Sequence, residues 1–313
     1  MTEPNARGVG APAAPSPAPA VRGGPGRAAW ALLVLGVVSA SVSAILIRYA
    51  SDAGALAISW WRCAAGAILL VPFAARGLRR LAPRELLTPG LAGVFLALHF
   101  ATWISSLGLT TIAASVLLVS TTPVFVALAL RLFWNQRLAA RAVAGIGLAL
   151  GGTALIAGAD FGGSSLAGNI LAIAGGATAG GYVLGGRLAR RRLGILEYSV
   201  AAYASAAVLL VIACLLAGVD LWGYDARTWW AIAALVAGPQ LLGHTVINLV
   251  LKDIDATTVS VAIMAEPIIA VTLAWALLSE VPAALAYPGG AAVLVGIYLV
   301  SRNSRPPAPA VAE

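Results

Sequence analysis

Charge is what this chain has least of. Only 10% of its 313 residues are Asp, Glu, Lys or Arg, whereas soluble domains carry about a quarter. The chain is 60% hydrophobic, and its mean hydropathy is +0.92. This shortage of charge excludes an ordinary soluble domain and predicts a protein that is embedded in a membrane.

The residues that usually carry catalysis or bind metal are also scarce. Two cysteines and two histidines are present, without metal-ligand or disulfide spacing. The sequence has no Gly-x-Ser-x-Gly elbow, no His-Glu-x-x-His, no intramembrane aspartate pair and no phosphate-cradling Gly-x-x-x-x-Gly-Lys-Ser/Thr loop. We therefore expect no metal, no cofactor and no ATP-driven pumping, and an intramembrane enzyme acting on lipid is kept only as an alternative.

Long apolar runs, in contrast, fill most of the chain. A helix needs about 20 apolar residues to cross a bilayer, whereas a membrane β-barrel would show alternating segments of about ten residues. The sequence therefore predicts an all-α membrane protein with ten transmembrane helices. The ten predicted spans are Ala29 to Ile47, Ala55 to Ala75, Pro89 to Gly108, Ala113 to Leu132, Ala142 to Ala159, Ala167 to Gly186, Glu197 to Ala217, Thr228 to Val250, Ala256 to Leu278 and Ala284 to Val300.

Positive charge predicts how these spans are oriented. With the N-terminus inside the cell, the 20 Lys and Arg all fall in cytoplasmic segments except Arg48 and Arg227 outside and Arg62 within a span. Because cytoplasmic loops of membrane proteins are enriched in Lys and Arg, both termini are expected in the cytoplasm and the chain in the plasma membrane. The net charge of +8 thus indicates topology, with membrane lipid and not nucleic acid as the partner.

The two ends of the chain differ from its centre. Residues 1–27 are rich in Pro, Ala and Gly, so a disordered cytoplasmic tail is expected there, with a second short tail at 303–313. Between the tails, we predict two five-helix repeats at 28–160 and 165–302. Since each half has an odd number of spans, the halves must insert in opposite orientations, as in many secondary transporters.

The repeat is recognised by aligning the sequence with itself at an offset of 144 positions. This shift brings "TIAASVLLVSTTPVFVALALRLFWNQ" opposite "DATTVSVAIMAEPIIAVTLAWALLSE", two segments that share a mid-span proline, an aliphatic second half and a polar end. Chance likeness between two apolar helices is the alternative explanation. The shift aligns Pro123 with Pro267, Gly145 with Gly289 and Gly152 with Gly296.

At these segments the chain resembles a known family. "SWWRCAAGAILLVPF", "STTPVFVALALRLFWNQR" and "MAEPIIAVTLAWALLSEVP" look like parts of the paired EamA domains of the drug/metabolite transporter superfamily. The resemblance implies a ten-helix carrier with cytoplasmic termini that usually moves amino acids, nucleosides or other small metabolites outward. One departure is Gln136, which stands where such repeats often carry a Glu, as Glu280 does in the second half.

Glu266 is the most costly residue in the ten spans. A carboxylate at a helix centre costs about 2.5 to 3.5 kcal/mol on insertion scales, which the nine Ile, Leu and Val of this span roughly cancel. Ionisable residues within membranes usually face an interior cavity and mark a substrate or proton path. The alternative is a structural glutamate bonded to a neighbouring helix beside Pro267.

Two polar helix faces are candidates to meet Glu266. Gln240, His244 and Asn248 lie at i, i+4 and i+8 of the eighth span, so they are predicted to form one polar stripe on an otherwise apolar helix. His99 and Trp103 form a comparable face on the third span, its repeat partner. The two histidines are predicted either to bind a ligand or proton or to satisfy a structural hydrogen bond.

Three further residues complete the predicted site. Arg62 lies about two turns from the outer end of its span. It either faces the cavity opposite Glu266, or extends to the outer surface or forms a structural pair. Thr122 and Tyr182 place hydroxyls in the fourth and sixth spans, where Ser and Thr commonly bridge helices. Small-residue pairs are expected to mark close helix contacts: Gly176 with Gly180, Gly181 with Gly185, and Gly147 with Gly151.

Together these features favour a secondary carrier that exports a small metabolite by alternating access. Proton coupling through Glu266 is one hypothesis, and facilitated diffusion, which needs no titrating group, is another. Uptake and a channel also fit the composition. The sequence indicates neither the substrate nor the oligomeric state.

Overall fold

The computed structural model describes residues 25–156, 165–278 and 283–302, and these ranges are helical apart from short connections. Fourteen α-helices follow one another, with a 3₁₀ turn at Pro83–Leu86 before α4 and a π-helix at Val236–Thr245 after α10. The helices are α1 (Arg27–Ser41), α2 (Ser43–Tyr49), α3 (Ala55–Leu78), α4 (Leu87–Ser106), α5 (Ile112–Val119), α6 (Thr122–Trp134), α7 (Ala140–Ile156), α8 (Leu166–Ala189), α9 (Ile195–Ala217), α10 (Ala226–Leu235), α11 (Val246–Val250), α12 (Ala256–Ile263), α13 (Glu266–Leu278) and α14 (Ala286–Ser301).

Seven helical stretches are long and apolar enough to cross a membrane. They are Arg27–Tyr49, Ala55–Leu78, Pro83–Ser106, Ala114–Trp134, Leu166–Ala189, Ile195–Ala217 and Ala226–Val250. Three shorter apolar helices, Ala140–Ile156, Ala256–Ile269 and Ala286–Ser301, occupy the other predicted spans. The all-α membrane class is therefore supported. Among the described residues, seven helical stretches are long enough to be candidate crossings, and three shorter apolar helices accompany them.

Four of the predictions from the sequence concern residues that lie wholly or partly outside the described ranges. They are the tail at 1–27 (of which residues 25–27 are described), the tail at 303–313, the end of the fifth predicted span beyond Ile156, and Glu280 as the counterpart of Gln136.

The fourth and ninth predicted spans are each broken in the middle. Helix α5 ends and α6 begins across Ser120 and Thr121, and α12 and α13 are separated by Met264 and Ala265. The two breaks correspond under the repeat, because α5 and α12 begin 144 residues apart and so do α6 and α13. Each second half has a proline as its second residue, where the missing amide proton costs no helical hydrogen bond.

The repeat also determines how α7 and α14 pack. A Cβ added to Gly145 would lie 2.8 Å from the carbonyl oxygen of Gly296, and one added to Gly152 would lie 2.5 Å from that of Gly289. The helices are therefore antiparallel and almost in backbone contact. Since Gly145 matches Gly289 and Gly152 matches Gly296, the two contacts are reciprocal, as a two-fold axis between the halves requires.

The predicted glycine contacts on α8 and α7 have different outcomes. On α8, Cβ atoms at Gly181 and Gly185 would meet Phe95 and Ala92 of α4, at 2.4 and 2.9 Å respectively. On α7, the predicted contact at Gly147 and Gly151 is not found among the described residues, since no atom of a neighbouring helix in that part of the chain lies within 4 Å of a Cβ at either position. The residues that approach α14 are instead Gly145 and Gly152, seven residues or about two turns apart.

We predict that Gly152→Ala will destabilise the protein by about 1–3 kcal/mol, because the new methyl group must push two helix backbones apart. Gly151→Ala is the matched control, since its methyl group enters open space, and Ala is the better helix former. The measurement is the free energy of unfolding in mixed micelles. Equal stability of the two variants would contradict the close α7–α14 contact.

Candidate functional site

A narrow cavity of about 80 Å³ lies at the helix breaks. The breaks that border it lie between α1 and α2, between α5 and α6, and between α12 and α13. Its wall is formed by Ala40, Ser43, His99, Trp103, Val119, Ser120, Thr122, Ala179, Tyr182, Val183, His244, Ile247, Asn248, Ser260, Ile263, Met264 and Glu266.

Seven of the nine residues predicted for the site line this cavity. From the first half come His99, Trp103 and Thr122. From the second half come Tyr182, His244, Asn248 and Glu266. The two sequence segments that the repeat relates thus contribute to one polar chamber.

Glu266 is the first residue of α13, directly after the break. Its side chain is half-buried and belongs to the cavity wall. The free amide groups at the start of a helix favour a negative charge there. Its repeat counterpart, Thr122, is the first residue of α6 and lines the same cavity.

Thr122 also ties the first break to α8. Its hydroxyl lies 2.8 Å from the carbonyl oxygen of Val119 and 3.1 Å from that of Gly176. A Cβ at Gly176 would come within 2.9 Å of the Val119 carbonyl oxygen. A glycine at 176 therefore lets the broken helix approach α8 closely, and the Thr122 hydroxyl can donate its proton to the Val119 carbonyl beside the break or to the Gly176 carbonyl of α8.

The Asn248 side chain links α11 to α8. Its amide Nδ2 donates to the Tyr182 hydroxyl and to the His244 backbone carbonyl, at 2.6 Å in each case. The Tyr182 and His244 rings are tilted against each other with centroids 5.9 Å apart. Because Asn248 and Tyr182 are both buried, this bond holds one wall of the cavity in a fixed geometry.

His99 is held by α8. Its Nδ1 lies 2.9 Å from the carbonyl oxygen of Gly175, and since a carbonyl can only accept, Nδ1 carries the proton. Nε2 is then the nitrogen free for a ligand or a second proton. The ring stacks parallel to that of Trp103, with centroids 5.8 Å apart, so its orientation is set from two sides.

Arg62 and Gln240 lie behind the cavity wall. Both are fully buried, and among the described residues no hydrogen-bond partner contacts the Arg62 guanidinium nitrogens or the Gln240 side-chain amide. The Arg62 Cζ lies 4.1 Å from the centroid of the Phe100 ring. The expectation that Arg62 extends to the outer surface is therefore wrong.

The π-helix explains why Gln240 leaves the predicted stripe. Pro239 cannot donate a backbone hydrogen bond, and the chain from Val236 to Thr245 closes wider i→i+5 turns. Residues four apart no longer lie above one another in such a segment. His244 and Asn248 stay on the cavity side, whereas Gln240 turns towards Gly66 of α3 and Tyr203 of α9.

Two aromatic residues near the site were not predicted. Phe100 lies between the Arg62 guanidinium and the His244 ring, which it contacts edge-on at 5.2 Å between centroids. The Tyr203 hydroxyl lies 2.9 Å from the Thr245 hydroxyl. Both side chains are fully buried in apolar helices, where the sequence pattern does not distinguish them from ordinary core residues.

Comparison with protein families gives one match that covers nearly the whole chain. The model of the EamA-like transporter family matches twice, at residues 28–158 and 166–302. The chain belongs to this family. The two matches agree with the two predicted repeats, and they assign the chain to the drug/metabolite transporter superfamily of multi-pass membrane proteins.

The fold of this EamA protein also occurs among solved structures. The crystal structure of one other protein superposes on this chain with a TM-score of 0.74. The superposition covers 89% of this chain and 98% of the other. The two sequences are 20% identical, so the likeness concerns the fold alone. Comparison with curated proteins found no match.

We predict a measurable coupling between Asn248 and Tyr182. Asn248→Ala and Tyr182→Phe each remove one side of their hydrogen bond, so the double variant should lose about 1 kcal/mol less than the sum of the single losses. Unfolding in mixed micelles measures all three variants. Tyr287→Phe, at an exposed position, controls for the loss of a hydroxyl, and additive losses would contradict the bond.

Proposed function

We propose that this EamA protein is a secondary carrier of the plasma membrane that exports a small metabolite by alternating access, with ten membrane helices and both termini in the cytoplasm. The observation that carries the proposal is a cavity at the helix breaks to which both halves contribute, with Glu266 in its wall. Inverted repeats of transporters usually place the substrate at such an interface.

The helix breaks support a carrier. Backbone groups without helical partners are tolerated at membrane depth only where they are buried in protein or line a cavity. Here the breaks after α1, α5 and α12 contribute Ser43, Ser120 and Met264 to the same wall. Short helix segments on either side of a break can also tilt separately, which an alternating opening requires.

The size of the cavity supports a conformational change. A volume of about 80 Å³ is well below the roughly 300–1,000 Å³ typical of small-molecule sites. A metabolite can therefore be held only after the helices around the cavity move apart. The structure corresponds in this respect to a closed state, and a permanently open channel is disfavoured.

Protonation of Glu266 is the proposed coupling step. The Glu266 carboxylate and the free Nε2 of His99 belong to the same chamber, and the Glu266 carboxylate interacts electrostatically with Arg62. A proton taken up by the carboxylate removes a charge from a site of low dielectric, which changes the relative energies of the inward- and outward-open states. Facilitated diffusion is the alternative, because it needs no titrating group.

The decisive experiment is transport into proteoliposomes across a panel of metabolites, with and without a pH gradient. Glu266→Gln keeps the size of the side chain but cannot titrate. We expect this variant to lose gradient-driven accumulation while solute exchange at equal pH on both sides continues.

Asp220→Asn is the matched control, since Asp220 is an exposed carboxylate in the loop after α9. This variant should transport like the unmodified protein. Full gradient-driven accumulation by Glu266→Gln would refute the coupling role, and facilitated diffusion would then be the remaining mechanism.

A further inference from the structure

Arg62 is a buried cation whose guanidinium has no hydrogen-bond partner among the described residues. Its exposed fraction is 0%, and none of its three guanidinium nitrogens makes a hydrogen bond. Glu266 interacts with it electrostatically but does not form a hydrogen bond with it. A buried charge without a hydrogen-bond partner is strongly destabilising, so a ligand that brought a hydrogen-bond acceptor to Arg62 would be favoured there.

A second unpartnered donor lies nearby. The Gln240 amide is also 0% exposed, and neither its nitrogen nor its oxygen has a partner in the described part of the chain. Its Cγ would be 3.1 Å from a Cβ at Gly66, one helical turn after Arg62, and the Tyr203 ring would be 3.3 Å from the same Cβ. Arg62, in turn, interacts electrostatically with Tyr203.

An aromatic ring separates the Arg62 guanidinium from the cavity. The Phe100 ring stacks against the guanidinium and also contacts the rings of His99 and His244, which both line the cavity. Because the closed cavity is too small for a metabolite, opening must add new surface to it. Movement of Phe100 and His244 would add the Arg62 guanidinium to that surface.

We propose that Arg62, assisted by Gln240, binds the carboxylate of the transported solute when the cavity opens. The guanidinium offers two parallel N–H donors that match a carboxylate, and Gln240 can donate a further hydrogen bond from its amide. This inference rests on the proposed carrier function and specifies its substrate class: a small metabolite that carries a carboxylate. Without solute, the Arg62 guanidinium interacts electrostatically with the Glu266 carboxylate, and the incoming carboxylate would replace that interaction.

Binding can be tested without knowing the substrate. Acetate is the probe, acetamide is its neutral analogue, and thermal unfolding of the detergent-solubilised protein in a Hepes background of fixed ionic strength is the readout. A ligand that binds only the folded protein raises its Tm. We expect acetate, and not acetamide, to raise the Tm of the unmodified protein and of Arg79→Met, whose altered residue is an exposed arginine.

Arg62→Met should abolish the acetate effect, and Arg62→Lys, which keeps the charge, should retain part of it. If Arg62→Met does not fold, a smaller acetate-induced rise in Tm for Arg62→Lys than for the unmodified protein still supports the inference. An equal response of all variants to acetate, or no response of the unmodified protein, would overturn the inference. A further measurement replaces acetate with chloride. If chloride raises the Tm as much as acetate does, and if this shift also depends on Arg62, the site binds anions in general and the carboxylate assignment is overturned.

Transport provides the second readout. Proteoliposomes receive a mixture that pairs each of several amino acids with its amide. The unmodified protein should favour the carboxylate member by about tenfold or more, the factor expected from charge-assisted hydrogen bonds, and Arg62→Met should lose this preference. Transport without this preference would overturn the inference about the carboxylate, but it would still support the proposed carrier function. An acetate effect on Tm without transport of any solute would support the anion site and contradict the carrier function.

Discussion

Hydrocarbon offers no hydrogen bonds, and this constraint accounts for where the irregular and polar parts of the chain lie. A free backbone group or an unpaired charge in lipid costs several kcal/mol, so each must be enclosed by protein. The breaks at α5/α6 and α12/α13, Glu266 and the polar face of His244 and Asn248 all meet at one cavity. These polar groups thus gather at the cavity because lipid cannot form hydrogen bonds with them, whatever chemistry the cavity also performs.

Internal symmetry then gives the chamber two unlike halves. The corresponding helix breaks place Thr122 and Glu266 at matching positions, each as the first residue of a half-helix. The Thr122 hydroxyl can donate to a carbonyl of its own break or of α8, whereas Glu266 places a titratable group in the cavity wall. The two-fold scaffold thus carries different chemistry at two matching positions.

Much of the site was predictable from residue type alone. Glu266, His99 and His244 are rare or costly residues in apolar spans, and burial in a shared chamber is the cheapest solution for them. Gln240 and Arg62 were harder to place. The π-helix around Pro239 changes which side chains share a face, and a period of 3.6 assumed from sequence cannot register that change. A close helix contact was predicted at Gly147 and Gly151, but the rotation of α7 places Gly145 and Gly152 against α14 instead.

The sequence by itself determined the class of the protein, its two-fold repeat and the approximate ends of most helices, because apolar run length and mid-span prolines act locally along the chain. Only the tertiary structure decided that Arg62 is enclosed against Phe100, that Asn248 bonds to Tyr182, and that Gly145 and Gly152 are the residues in contact with α14. Those outcomes depend on the rotation of each helix against its neighbours, which no single segment specifies.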